Sequence, residues 1–325
     1  MASNLLKFSL QPTKSSSPLT TPNSNHHQQS HIAFFNQKSF RRTKILCTSL
    51  NSSVNSYTPP TSKEEAILQA KTCLSTTLEK PLNNPRLTGK FKKQKQPRLR
   101  VEIPVIDESP DSLTQLVLDF FENLPIKRKG TQLRILLLWP DSTLTDLANK
   151  TSSSNSVQNL TISSSLTEDS RILSSADVAI FLAPDESQLA VMKAVSDSWS
   201  PRPVVVFNPK WGFDEENEFG ELSSFVGSFE VVYSFMGLEV RGILSKRKGV
   251  VFRSVKDGVL SGEKWEIFVE EENGELRVIS RFKKRPSIGE VENVLYNLMA
   301  VNSPITKSAK FLRDLVSNVT GKKSS

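Results

Sequence analysis

Three short stretches hold the side chains best suited to chemistry: Trp139-Pro140-Asp141, Ala183-Pro184-Asp185 and Phe207-Asn208-Pro209-Lys210. Each closes an apolar run, LRILLLW, VAIFLA or VVVF, that reads as a buried strand. In an open α/β sheet, ligands bind past the carboxyl ends of the strands. If these strands are neighbours, Asp141, Asp185, Asn208 and Lys210 form a strand-end cleft. Two carboxylates, an amide and a lysine could bind Mg²⁺ or phosphate there. The same residues have a plainer use. Asp141 and Asp185 each follow a proline and precede a helical pattern, which is the position of an N-cap.

A second candidate is the stretch 86–101, RLTGKFKKQKQPRLRV, with seven bases and no acids. Lys90, Lys92, Lys93, Lys95, Arg98 and Arg100 could make an electrostatic docking surface for an acidic partner or anionic headgroups. The alternative is a solvated loop. Phe91 is its single aromatic, so nucleic acid is not an expected partner.

Other chemistries lack their residues. The three histidines, His26, His27 and His31, lie near the start, as does Cys47. Without that leader only Cys73 remains, so there is no Ser-His-Asp triad, no His/Cys zinc site and no disulfide. Neither GxxxxGK[ST] nor GxGxxG follows any strand. Ser261-Gly-Glu-Lys264 has SxxK spacing but none of the partner motifs of that enzyme class. No catalytic residue, metal or cofactor is expected.

The leader reads as a targeting segment. Residues 1–63 contain no Asp or Glu and are rich in Ser, Thr, Asn and Gln. That composition is typical of a transit peptide and lacks the apolar core of a secretory signal. Arg41, Arg42 and Lys44 precede Ile45-Leu46-Cys47, so plastid processing is expected after Cys47, with mitochondrial import as the rival. The whole chain has 42 bases against 34 acids, a net +8. Removing the six bases of residues 1–47 leaves +2. The high pI is therefore mostly an import signal.

The elements that must position these residues follow from periodicity. After a polar leader (48–61), Ser62-Lys-Glu-Glu65 has capping-box spacing. It opens a helix with Ala66, Ala70, Cys73, Leu74 and Leu78 on one face, where Cys73 reads as a buried thiol. Arg98–Ile103 alternates as a strand, and a helix carries Leu113, Leu116, Val117, Phe120 and Phe121 inward. Residues 149–165 (NKTSSSNSVQNLTISSS) are low in complexity and read as a mobile loop, with room for one short strand near Leu160–Ile162. Leu189, Met192, Val195 and Trp199 share a helix face between the VAIFLA and VVVF strands. From Phe229 the pattern turns antiparallel, with FEVVYSFM, VRGILS, GVVFRS, KWEIFVE and ELRVIS as strands. Lys246–Gly249 and Glu272–Glu275 read as hairpin tips. Ser287-Ile-Gly-Glu290 is a second capping box. The helix expected over 305–319 gathers Ile305, Ala309, Leu312, Leu315, Val316 and Val319 on one arc, to pack on its own domain or to dock elsewhere. The fold class is α/β: a mainly parallel, helix-covered, Rossmann-like sheet extended by antiparallel strands, with C-terminal helices. The expected organisation is transit peptide 1–47, leader 48–61, α/β domain 62–285 and C-terminal helical segment 286–325.

The ordered set LRVEIP, ILLLWPD, AIFLAPDE, VVVFNPKW, VVYSF, GVVFR and KWEIF resembles a plastid and cyanobacterial domain family of unknown biochemistry, over about residues 58–285. The YTPPTSKEEAI start and the IPVID segment are most similar to its chloroplast members that support photosystem II accumulation. The resemblance implies a stromal, non-enzymatic assembly factor with peripheral contact at the thylakoid membrane. Its implied client is the chlorophyll-binding inner antenna protein of photosystem II, with the thylakoid insertase as co-partner. The alternative is a plastid small-molecule or nucleotide-phosphate enzyme that uses Asp141, Asp185 and Lys210. One departure stands out. Relatives place a short turn between the Arg of GVVFR and the next Trp, whereas SVKDGVLSGEK separates Arg253 from Trp265 here.

Overall fold

A computed structural model describes residues 32–33, 58–83, 95–104, 109–122, 124–152, 154–166, 175–241 and 246–302. The expected processing site, Lys90, Lys92 and Lys93 of the basic stretch, and the helix expected over 305–319 lie outside the described residues.

Six strands run parallel: β1 (Arg98–Glu102), β2 (Ile135–Trp139), β3 (Val157–Thr161), β4 (Val178–Leu182), β5 (Val204–Phe207) and β6 (Glu230–Arg241). Their spatial order is β3-β2-β4-β5-β1-β6, and β7 (Lys246–Ser254), β8 (Trp265–Glu270) and β9 (Leu276–Phe282) continue the sheet antiparallel. Ile32–Ala33 pairs with Val240 and Glu239 of β6, off this path. The α/β class read from the sequence is the one observed.

Every residue of β2, β4 and β5 is buried, as unalternating apolar strands require when both faces are covered. Their side chains still divide by the period of two. Leu137, Ile180, Val205 and Val101 enter one cluster together with helices α1 (Lys63–Asn83), α2 (Pro110–Phe121) and α3 (Ser142–Thr151). Leu138, Phe181 and Val206 face the other way, onto α4 (Leu189–Trp199) through Leu189, Met192, Val195 and Trp199. A third cluster lies on the antiparallel wing, where Val291 and Leu295 of α5 (Ile288–Asn302) meet Leu238, Trp265 and Ile267. The start of the C-terminal helical segment thus packs on the antiparallel wing of the same sheet. No helix among the described residues is long and apolar enough to cross a membrane.

Local sequence signals account for the helix starts. Ser62 Oγ accepts from Glu65 N at 3.1 Å, and the Glu65 carboxylate accepts from Thr61 N at 2.8 Å. At α5 the box is reciprocal between Ser287 and Glu290, at 2.8 and 3.2 Å. Cys73 is buried against Ser254 Oγ, 3.2 Å away, and burial pushes its thiol up.

Two expectations differ in detail. From Glu230 on, FEVVYSFM lies in the twelve-residue β6, which runs on through Val240 and Arg241 of VRGILS, the rest of VRGILS lying outside the described residues. Lys246–Gly249, expected as a hairpin tip, is the start of β7. Gly249 serves clearance there, since a Cβ would sit 2.2 Å from the carbonyl oxygen of Phe268. The SVKDGVLSGEK segment is locked down in the same way: Gly258 has φ +67°, and a Cβ on it would lie 2.4 Å from the Thr76 carbonyl oxygen of α1.

Candidate functional site

The strand order creates two places where the chain leaves adjacent strands in opposite directions. From β2 it passes to β3 on one side, and from β4 to β5 on the other; β1 and β5 diverge likewise. Such switch points open crevices at the carboxyl ends of parallel strands, and the four cleft candidates lie at these ends.

Each of these ends is tied to its neighbour. Asp141 caps α3, its Oδ1 accepting from Leu144 N at 2.9 Å. Asp185 accepts from the Ser187 hydroxyl at 2.5 Å. Gln188 Oε1 accepts from Asp185 N at 3.2 Å, while Gln188 Nε2 donates to the Pro140 carbonyl at 2.7 Å. One amide thus spans the β2/β4 switch point. Asn208 Oδ1 accepts from Ile103 N at 2.7 Å and spans the β1/β5 one. Lys210 N donates to the Pro184 carbonyl at 2.9 Å, and its side chain is exposed. Ala183 (φ 40°) and Asn208 (φ 48°) turn the chain out of β4 and β5 through the left-handed region, which Asn tolerates better than most residues. Among the described residues, no hydrogen bond or ion pair joins the side chains of Asp141, Asp185, Asn208 and Lys210 to one another. No three Asp, Glu, His or Cys side chains gather as a metal cluster there. The topology brings the four segments side by side, and their polar groups hold the loops. Gln188 escaped the sequence reading, although its spacing from Asp185 is that of a capping box.

A charged cluster sits beside this region. Arg100 and Glu102, two apart on β1, point to one face and are 3% and 8% exposed. Arg100 Nη2 lies 2.6 Å from Glu102, and its Nη1 pairs with Glu216. Arg285, just before α5, meets Glu102 at 3.0 Å. Ser234 of β6 donates to Glu102 Oε2 at 2.5 Å. The Arg285 guanidinium lies over Phe213 and Trp265, with centroids at 4.8 and 5.1 Å, and Ile288 N donates to Asp214 Oδ2 at 3.2 Å. Two positive and two negative side chains therefore join β1, β6, the acidic 213–222 loop and the base of α5.

Burial alone would push the Glu102 carboxyl up. Arg100 and Arg285 and the Ser234 hydroxyl outweigh it and hold it at about 2. Arg100 is desolvated as well, yet its two carboxylate partners shift it upward, whereas burial dominates at Arg285 and shifts it down. Both guanidiniums stay charged. General acid–base work near neutrality needs a pKa near the working pH, which Glu102, held at about 2, does not have. Arg100 Nε, Asn208 Nδ2 and Trp211 Nε1 are buried nearby with no acceptor among the described residues, each a desolvation cost of about 1–3 kcal/mol.

The basic docking stretch is divided by this arrangement. Arg100 belongs to the interior and cannot face a partner, because its charge is spent on Glu102 and Glu216. Arg98 is tied to Asp197 at 3.2 Å and to Ser228 Oγ at 3.1 Å, and its guanidinium lies 5.0 Å from the centroid of the Phe225 ring. Lys95 is exposed.

A family model described as a domain of unknown function, DUF1995, matches residues 60–293. No curated protein matches the chain. Among solved structures, the flagellar accessory protein FlaH from Methanocaldococcus jannaschii is similar at 11% identity, over 60% of this chain and 93% of that one, with a TM-score of 0.24.

Proposed function

The chain belongs to that DUF1995 family, and from this premise we propose that it is a non-enzymatic chloroplast assembly factor for photosystem II. Its YTPPTSKEEAI and IPVID segments are similar to the chloroplast low photosystem II accumulation protein, third of its series. On this reading the mature protein is stromal, meets the thylakoid membrane peripherally, and helps assemble the chlorophyll-binding inner antenna subunit beside the thylakoid insertase.

The observation that supports a binding role is how the strand-end polar groups are used. Asp141 is engaged by α3, Gln188 by the end of β2 and Asn208 by the end of β1. A catalytic cleft at these positions would need such groups free to meet a substrate.

The test is affinity capture with the tagged full-length protein from detergent-solubilised thylakoids. The inner antenna subunit and the insertase should be retained, equally by wild type and by Asp141→Asn. Capture of neither protein defeats the assembly reading. Phosphate-ester turnover that disappears in Asp141→Asn supports the enzyme alternative instead.

A further inference from the structure

The opposite end of the parallel sheet, where the strands begin, gathers bases that lie far apart in the chain. Arg134 precedes β2, Arg202 precedes β5 and Lys95 precedes β1. Hydrogen bonds fix these entry points in a row. Arg134 N donates to Asp177 Oδ2 at 2.9 Å, Arg202 Nη1 to the Ala176 carbonyl at 2.9 Å, and Gln96 Nε2 to the Arg202 carbonyl at 3.1 Å. Four neighbouring strands at the usual spacing span about 15 Å. Beside them runs a small ribbon, in which Lys127–Arg128 pairs with Thr131–Gln132. It is pinned to the end of α1 by Asn83, whose side chain bonds the Lys127 carbonyl and Lys129 N, both at 3.0 Å.

Three of the acids at this end are engaged, while Glu79, near the end of α1, and Glu230, at the start of β6, are exposed. Asp177 is buried with Arg128 and Arg134, Asp197 holds Arg98 and Lys193, and Glu122 accepts from Ser152. Lys95, Lys127 and Lys129 are exposed, and so is Arg134, whose side chain is 57% accessible. Bases near helix C-termini are commonly explained by the helix dipole, which acts only within the last turn. Lys127, Lys129 and Arg134 lie on the ribbon and at a strand entry, outside any helix, so the dipole does not account for them.

We propose that this face, formed by Lys95, Lys127, Lys129 and Arg134, binds an anionic bilayer surface. Charge complementarity carries the choice of partner. The bases are spread along a row, and the three lysines are compact point charges without the bidentate geometry that selects single carboxylates. Exposed aromatics for stacking nucleobases are absent from this row among the described residues; Trp199, under Arg202, is buried. The choice of a membrane rests on the plastid assembly reading above.

The experiment is co-sedimentation of the full-length protein with vesicles of phosphatidylglycerol and phosphatidylcholine at 3:7, against phosphatidylcholine alone. The variant is Lys127→Gln/Lys129→Asn/Arg134→Gln, in which Asn suits the φ of 49° at position 129. Lys283→Gln/Lys284→Gln is the control, removing two exposed bases after β9. At about 1 kcal/mol per base near an anionic surface, the triple variant should bind roughly a hundredfold more weakly at low salt. The control should bind like wild type, and 1 M salt should release both, since the Debye length falls to about 3 Å. Equal binding by wild type and triple variant overturns the proposal, as does equal binding to both vesicle types. Retention on an immobilised acidic peptide, lost in the triple variant and without vesicle binding, also overturns it and assigns the face to a protein. Antenna capture by a variant that no longer binds vesicles would leave the assembly reading intact, which separates the two claims.

Discussion

Glu102→Gln tests the buried charge quartet. The substitution keeps the shape of the side chain and removes the charge between Arg100 and Arg285. Its cost can be worked in two ways. The Glu102 carboxyl falls from the ordinary 4.5 to about 2 in the folded protein, a difference that corresponds to about 3 kcal/mol. Removing one member of a buried ion pair costs about 3–5 kcal/mol in measured cases, so the routes agree. For a domain of this size the melting temperature should drop by about 7–14 °C. The pH dependence gives the sharper reading. The folded pKa lies below the unfolded one, so the unfolded chain binds the extra proton first as pH falls. The contribution is complete above about pH 5 and lost as pH approaches 2. Wild type and Glu102→Gln should differ by about 3 kcal/mol at pH 7 and by under about 1 kcal/mol at pH 2. Urea unfolding followed by fluorescence suits the measurement, since Trp139, Trp199, Trp211 and Trp265 are all buried. A loss below about 1 kcal/mol at pH 7, or an equal loss at both pH values, would refute the reasoning.

Two further outcomes concern packing. Gly258→Ala should cost at least about 1–2 kcal/mol for the left-handed backbone and more for the contact with Thr76, whereas Gly262→Ala, at φ +100° with open space around it, should cost only the backbone share; equal urea midpoints for the two variants would contradict the close approach of this loop to α1. Cys73 should resist a thiol reagent in the native state at pH 8 and react fully in denaturant, because the sulfur is buried and its thiolate disfavoured; a fast native reaction would place it at the surface.

Features with a local cause are legible in the sequence. ILLLW, VAIFL and VVVF are strands because uninterrupted apolar runs must be covered on both faces, and Ser287-Ile-Gly-Glu290 starts a helix because four adjacent residues suffice to cap it. Features with a distant cause are not. Arg100 reads as the end of a basic surface stretch, but its partner Glu216, and Arg285 on the shared Glu102, lie more than a hundred positions away. A charged pair inside LRVEIP was the available clue, since Arg100 and Glu102 share a face of a strand whose other face is Leu99 and Val101. Lys246–Gly249 misled for a related reason: three bases and a glycine mimic a turn, while the glycine answers to Phe268 on the neighbouring strand. The tie made by Gln188 was half legible, its spacing from Asp185 being local and its reach to Pro140 depending on the strand order. The row of bases at the strand entries could not be read at all without that order.

The position of β1 also dictates a sequence of events. It is the first of the parallel strands to be made, yet it lies between β5 and β6, pairing Arg98 with Val204 and Leu99 with Glu230. Both neighbours arrive more than a hundred residues later. The segment from β2 to β5 can therefore close on short connections while β1 waits unpaired, because the entropy of closing its long loops must be met before its contacts return anything. Arg285 closes the quartet later still, so a growing chain holds Arg100 and Glu102 in water until nearly all of the domain exists. The desolvation of those charges therefore belongs late in assembly, after the chain has passed Arg285.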